Sequence, residues 1–303
     1  MKNRKLLLKI LVSLLLLAVI IWTQDTDKVF RNISGFNFIY ALPVCLLLIL
    51  NYIVSSVRWK ALLIHQNSDK TPLKYLTSLY FIGAFFNNFL PTSIGGDGYK
   101  IYKLGQKINN TTDAFSATFM ERFTGVMALT VISLASLISI LGWFGLLLFF
   151  LFWIVAVFGF FVLKKISAMS FTNKHLSLLA QKTADVYRSL SQYASYKKEL
   201  FWALITSFVV QLLAVFSQYF VFKGVGITLP IFYSLFAFPF IFLAGYAIPS
   251  LNGVGVQDAL YVRLFGSIGV VSEIAVSASI LYHLFRLGVS LIGGVLYAVG
   301  KAD

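Results

Sequence analysis

Long apolar runs dominate the chain, and an α-helix needs about 20 such residues to cross a bilayer. Six runs approach or exceed that length and are predicted to span the membrane: Leu6–Trp22, Phe38–Val57, Phe115–Leu141, Trp143–Leu163, Leu200–Phe222 and Ile274–Val299. Basic residues precede the first run as in a signal peptide, but no small-residue cleavage pattern follows, so it is expected to be retained. The pattern predicts an all-α polytopic membrane protein with about six spanning helices.

Two further apolar runs, Leu73–Leu90 and Ile231–Ile248, end differently from these six. Each leads into a proline and a glycine-rich break, at 91–98 in the first case and at 249–255 in the second. A short amphipathic segment follows each break. Because proline and glycine interrupt regular helices, each run is predicted to be the first arm of a broken helix pair.

Basic residues set the predicted orientation, because cytoplasmic loops carry an excess of Lys and Arg. The segment 164–199 is predicted to be cytoplasmic on its basic residues Lys164, Lys165, Lys174, Lys182, Arg188, Lys197 and Lys198. Tracing the spans back places two more basic groups inside: Arg58, Lys60, Lys70 and Lys74, then Lys100, Lys103 and Lys107. Both flanks of Leu73–Leu90 are then predicted to lie on the cytoplasmic side. If Lys301 is also cytoplasmic, both flanks of Ile231–Ile248 lie on the outer side of the membrane. Both broken pairs are therefore predicted to be re-entrant, one from each side.

The two halves of the chain consequently have related elements in opposite orientation, as in many secondary transporters. Within a single transmembrane domain, residues 1–303, repeat 1 covers about 37–141 and repeat 2 about 200–300. The cytoplasmic segment 164–199 between them is either a helix at the interface with anionic lipid or a solvated linker helix. The prediction is a bacterial-type inner-membrane protein with both termini cytoplasmic.

Composition supports lipid as both solvent and partner. Hydrophobic residues make up 59% of the 303 residues and charged residues only 12%, so an aqueous core cannot hide them all. The excess of 25 Lys+Arg over 11 Asp+Glu lies between the apolar runs, which favours anionic lipid over nucleic acid. Cys45 is the single cysteine, the three histidines lack metal-ligand spacing, and no nucleotide-binding or hydrolase motif is present. We therefore expect no cofactor, no metal and no intrinsic catalysis.

The two breaks are the first candidate site. Non-helical backbone at membrane depth must be buried in protein or line a wet cavity, and a helix N-terminus after a break favours an anion. The candidate residues are Pro91, Gly95 and Gly96 in the first break, and Pro249, Asn252, Gly253 and Gly255 in the second. The alternative is that these residues only kink two apolar helices. Asp97 is either a helix N-cap or a substrate or proton group, and Lys100 either binds lipid phosphate or extends to the membrane surface.

Ionisable residues inside predicted spans are the second candidate. Glu121 and Arg122 lie roughly 12 Å along their helix from Asp113, a depth at which unpaired charges cost several kcal/mol. Neighbouring residues point about 100° apart, so each is expected to face a different polar partner. In the last span, His283 and Arg286 share a face; Arg286 is a candidate phosphate ligand and His283 a candidate proton relay. Weaker candidates are Arg58 and, just before the first break, Asn87 and Asn88.

Together these residues resemble a known family. Asn88-Phe89-Leu90-Pro91, Gly95-Gly96-Asp97, Lys100, Gly105, Ala114, Glu121-Arg122 and Gly125 are similar to the membrane domain of lysylphosphatidylglycerol synthases, the multiple peptide resistance factors. Pro249-Ser250 and the stretch from Asn252 to Ala259, which includes Asp258, resemble its second motif more loosely. The resemblance covers nearly the whole chain and implies a flippase-like membrane domain.

The resemblance implies translocation of an aminoacylated or other anionic lipid between leaflets. In the full synthases a separate cytosolic domain transfers lysine from lysyl-tRNA; because this chain ends at Asp303, we expect a stand-alone member without that acyltransferase. Polyprenyl-linked or hopanoid-related lipids are alternative cargoes. Three other functions stay open: a lysyltransferase-family protein acting with a separate catalytic partner, a secondary transporter of a small anion, and a scaffold for glycosyltransferases. Expected partners are anionic membrane lipids, with a lipid-modifying enzyme or further copies of the chain as alternatives.

Overall fold

The computed structural model describes residues 24–64, 71–89, 95–167, 177, 191, 193–247 and 253–300. These residues form ten α-helices: α1 Thr26–Ser34, α2 Ala41–Ala61, α3 Leu73–Phe89, α4 Gly95–Ile108, α5 Thr111–Leu141, α6 Trp143–Ser167, α7 Lys197–Gly224, α8 Ile231–Ala247, α9 Val256–Gly266 and α10 Ser272–Ala298. A single 3₁₀ turn, Phe38–Tyr40, leads into α2. The chain is an all-α polytopic membrane protein, which confirms the predicted fold class.

Four helices of the described part of the chain are long and apolar enough to cross a membrane: α2 with its preceding turn, α5, α7 and α10. They coincide with four of the six predicted spans, with ends displaced by a few residues. A fifth predicted span, Trp143–Leu163, lies within the 25-residue helix α6. The sixth, Leu6–Trp22, lies outside the described residues.

The two predicted re-entrant arms, α3 and α8, are both 17 residues long. Each is followed directly by residues outside the described part of the chain, so re-entry into the membrane stays a prediction. Their entry from opposite sides stays a prediction.

Helix packing repeats between the two halves of the chain. The first spans, α2 and α7, pack against each other. In the first half α4 packs on α5 and α3 on α4, and in the second α9 packs on α10 and α8 on α9. The short arms exchange partners, because α3 packs on α10 while α8 packs on α5. Two repeats related by a pseudo-two-fold axis would have this packing pattern, and both the repeats and their opposite orientation in the membrane stay predictions.

The α3–α10 contact is close enough to require a glycine. A Cβ on Gly293 of α10 would lie 1.9 Å from the carbonyl oxygen of Phe81 in α3. On the same contact, Asn88 Nδ2 donates to Ser290 Oγ at 2.8 Å. The sequence candidate Asn88 thus connects the first repeat to the last span of the second.

Most of the predicted interfacial segment, 174–190, lies outside the described residues apart from Ser177. Tyr193 near its end is described and fully buried, and its hydroxyl donates to the carbonyl oxygen of Leu62 at 2.7 Å. Burial raises the pKa of Tyr193, so the hydroxyl keeps its proton and remains a donor at neutral pH. At Tyr193 the segment contacts protein instead of lipid or solvent.

We expect Tyr193→Phe to lower the free energy of unfolding by about 1–2 kcal/mol, because the Leu62 carbonyl loses a buried donor. Thermal unfolding of the purified protein in detergent measures the change. Tyr196→Phe is the matched control, since Tyr196 is exposed. Equal stability of the two variants would contradict a structural role for the Tyr193 hydroxyl.

Candidate functional site

A polar cavity of about 190 Å³ lies between the helices of the two repeats. It is lined by Leu48, Asn51, Tyr52, Ser55 and Arg58 of α2, Tyr80, Gly83, Ala84, Asn87 and Asn88 of α3, Asp97 and Lys100 of α4, Glu121 and Arg122 of α5, Val210, Gln211 and Ala214 of α7, Phe242 of α8, and Tyr282 and Arg286 of α10. Eight of these were sequence candidates: Arg58, Asn87, Asn88, Asp97, Lys100, Glu121, Arg122 and Arg286. The fold brings these eight together from five different helices.

Glu121 forms the centre of a buried ion network. Its Oε1 accepts from Arg58 Nη2 at 2.7 Å, and its Oε2 lies 3.4 Å from Lys100 Nζ. Arg58 also donates to Ser207 Oγ at 3.1 Å. The sequence analysis placed Arg58 in a loop as well as among the weaker candidates, and the loop is wrong: Arg58 is within α2 and only 6% exposed. Its position on the cytoplasmic side stays a prediction. The carboxylate of Glu121 explains why this arginine is buried.

Lys100 is also buried, with 3% of its surface exposed. Its Nζ lies 3.1 Å from Asp97 Oδ1, and it stacks on two rings, 3.9 Å from the centroid of Tyr80 and 4.9 Å from that of Trp59. Two carboxylates and two aromatic faces replace water around the ammonium group. The interpretation of Lys100 as a side chain extending to the membrane surface is therefore wrong.

Asp97 connects α4 to α5. Its Oδ2 accepts from both Arg122 Nε at 2.8 Å and Arg122 Nη2 at 2.6 Å, so a single carboxylate oxygen receives two charge-assisted hydrogen bonds. The alternative of a helix N-cap is wrong, because α4 begins at Gly95 and Asp97 lies within its first turn. Glu121 and Arg122 have different partners, as their angular separation predicts.

Gly96 allows α3 and α4 to meet backbone to backbone. A Cβ at Gly96 would lie 2.0 Å from the carbonyl oxygen of Gly83, and the Gly96 N–H donates to Asn87 Oδ1 at 2.8 Å. Gly95 is the first residue of α4, and Pro91 lies outside the described residues. The glycines of the first break therefore position Asp97 and Lys100 without contributing side chains to the cavity.

The second break does not line the cavity in the described part of the chain. Gly253 and Gly255 have φ of 88° and 84°, a left-handed conformation that favours glycine. Asp258 Oδ2 accepts from the Gly255 N–H at 2.7 Å, and His283 Nε2 lies 3.4 Å from Asp258 Oδ1. Pro249 and Asn252 lie outside the described residues. Among the described candidates from the second half of the chain, Arg286 alone lines the cavity.

Six polar lining residues were not among the sequence candidates: Asn51, Tyr52, Ser55, Tyr80, Gln211 and Tyr282. Asn51 Nδ2 donates to the carbonyl oxygen of Val210 at 2.7 Å, and Gln211 Nε2 donates to that of Gly125 at 3.3 Å. For Asn51 and Gln211 the sequence did contain a signal, which is a single amide side chain within a long apolar run. Polar side chains in membrane spans face the bundle interior, so such an amide indicates a residue that faces other helices.

The described lining has more positive than negative charge. Arg58, Lys100, Arg122 and Arg286 are four cations, and Asp97 and Glu121 are two carboxylates, which leaves an excess of two positive charges. Pockets for drug-sized molecules measure about 300–1,000 Å³, so a cavity of about 190 Å³ has room for a small charged group only. The arrangement suits an anion of the size of a phosphate.

Comparison with protein-family models matches residues 6–294 to the lysylphosphatidylglycerol synthase TM region. The chain belongs to this family. Membership confirms the resemblance seen in the sequence and establishes a membrane-lipid-related function. A search of curated proteins gave no match.

Proposed function

We propose that this member of the lysylphosphatidylglycerol synthase TM family translocates an anionic lipid, with the headgroup bound in the polar cavity. The charge of the described lining carries the proposal: four cations against two carboxylates attract the phosphodiester of a lipid headgroup. The lipid class is a phospholipid or polyprenyl-linked lipid with a phosphate, aminoacylated or not. The proposed setting is the bacterial inner membrane, with both termini in the cytoplasm.

The size of the cavity supports a headgroup path, because acyl chains do not fit into about 190 Å³ beside a phosphate. The acyl chains would remain in the surrounding bilayer while the headgroup passes through the protein. The same cavity volume favours a second candidate, transport of a small inorganic anion.

We expect purified protein in liposomes to exchange anionic lipids between leaflets and to exchange zwitterionic lipids at least about tenfold more slowly. Arg286→Gln removes one cation of the lining and is expected to slow anionic exchange by about tenfold or more, the value of one charge-assisted hydrogen bond. Fluorescent or isotope-labelled phosphatidylglycerol, lysylated phosphatidylglycerol and phosphatidylcholine provide the panel.

Arg263→Gln is the matched control, since Arg263 is exposed on α9 and absent from the described lining. Phosphate uptake by the same liposomes separates the two candidates. Uptake without lipid exchange would assign the cavity to small anions, and equal exchange by both arginine variants would refute this headgroup site.

A further inference from the structure

Each repeat contains an aspartate that ties its short helix to the following span. Asp97 in α4 contacts Arg122 in α5 at 2.6 Å, and Asp258 in α9 contacts His283 in α10 at 3.4 Å. In both repeats the partner follows the aspartate by 25 residues. Since α4 packs on α5 as α9 packs on α10, the two contacts occupy corresponding places.

The neighbouring positions correspond as well, but their chemistry differs. Three residues after the aspartate stand Lys100 in repeat 1 and Tyr261 in repeat 2, and directly before the partner stand Glu121 and Tyr282. Tyr261 bonds to the amide of Gln218 on α7, where Lys100 pairs with Glu121. The charged network of repeat 1 thus has a counterpart in which neutral groups replace most of the charges.

Asp258 accepts two hydrogen bonds in addition to its long contact with His283. Its Oδ1 accepts from Ser279 Oγ of α10 at 2.5 Å, its Oδ2 accepts from the Gly255 N–H, and 2% of its surface is exposed. The carboxylate therefore joins the N-terminus of α9 to α10. Protonation of His283 adds a positive charge beside this carboxylate, and loss of the proton removes it.

We infer that Asp258 and His283 form a proton-controlled latch, which holds α9 against α10 when His283 is protonated and loosens when it is neutral. The latch rests on the proposed function, to which it adds coupling between lipid translocation and protons. Arg122 keeps its charge at every physiological pH, so the corresponding contact in repeat 1 does not switch. The two repeats would then respond differently to pH.

Several helices bring titratable or charged groups toward the described pair. Tyr261 of α9 interacts with Asp258 and with Tyr282 and Arg286 of α10, and its hydroxyl bonds to Gln218 of α7. Tyr282 and Arg286 in turn interact with Tyr52 of α2. Further away, Tyr233 of α8 bonds to the C-terminal part of α9, and Lys28 of α1 pairs with Glu273 at the start of α10. Phenols generally titrate near pH 10 and arginine keeps its charge, so the variants of His283 decide whether a change between pH 5 and 8 comes from its contact with Asp258.

Amide hydrogen exchange of the full chain in lipid nanodiscs tests the latch directly. After correction for the intrinsic effect of pH, we expect the first turn of α9, residues 256–259, to be about tenfold better protected at pH 5.5 than at pH 8. His283→Arg is expected to keep high protection at both values, because it reproduces the permanent pair of repeat 1. His283→Gln is expected to show low protection at both.

If the protection of residues 256–259 in His283→Gln depends on pH as it does in the wild type, the inference is overturned, whatever the behaviour of His283→Arg. Lipid exchange measured on the same samples separates this failure from that of the proposed function. Exchange by the wild type is expected to be slower at pH 5.5 than at pH 8, and exchange that is equal at both values would refute proton coupling while leaving the headgroup cavity intact. Absence of lipid exchange at every pH would refute translocation, and with it the coupling.

Discussion

Replacement of Glu121 by alanine is expected to lower the free energy of unfolding by about 3–5 kcal/mol, the cost of breaking a buried ion pair by removing one partner. Arg58 and Lys100 would both lose a carboxylate, and both are almost fully buried. Unfolding of the purified protein in mixed detergent–lipid micelles measures the loss. Asp27→Ala is the control, because Asp27 is exposed on α1 and its removal should leave unfolding unchanged.

A double variant separates stability from transport. Arg58→Met with Glu121→Met replaces the pair by apolar side chains of similar length, and such replacements are often neutral or stabilising. We expect the double variant to recover most of the lost stability, yet to remain impaired in anionic lipid exchange because the cavity loses Arg58. A double variant that is stable and exchanges lipid at the wild-type rate would show that this pair is structural only.

The pattern of apolar runs predicted the long helices of the described part of the chain. Four predicted spans match helices of spanning length, and Leu73–Leu90 and Ile231–Ile248 correspond to α3 and α8. The length of an apolar run predicts a helix without knowledge of its neighbours, because each helix in a membrane must satisfy its own backbone hydrogen bonds. The position of Glu121 and Arg122 inside a helix of spanning length followed from the same counting, whereas their depth in the membrane stays a prediction.

The pairing of the charges was not predictable in the same way. Arg58 and Glu121 are 63 residues apart, and nothing in their local sequence indicates which helix faces which. The rule that cytoplasmic loops are basic assigned both Arg58 and Lys100 to the membrane surface, because it counts charges near span ends without regard to burial. A charge at the end of a span therefore needs a search for buried carboxylates before it is used for orientation.

Gly96→Ala is expected to impair lipid exchange by at least about tenfold and to destabilise the protein by about 1–3 kcal/mol, the usual cost of overpacking. The new Cβ would lie 2.0 Å from the carbonyl oxygen of Gly83 and 2.8 Å from Asn87 Oδ1. Because the closest atom belongs to the backbone, no side-chain rotation relieves the clash, and α4 must move away from α3. That movement displaces Asp97 and Lys100, which α4 brings to the cavity.

Gly98→Ala provides a control two residues further along the same helix. A Cβ at Gly98 meets nothing within 4 Å, and alanine in place of glycine stabilises a helix by roughly 0.5–1 kcal/mol. We expect this variant to exchange lipid at the wild-type rate and to be slightly more stable. Exchange assays and unfolding on both variants form the measurement. Both changes raise helix propensity equally, but only Gly96→Ala is expected to separate α3 from α4. Equal lipid exchange and equal stability of the two variants would therefore mean that lipid exchange does not require close contact between α3 and α4.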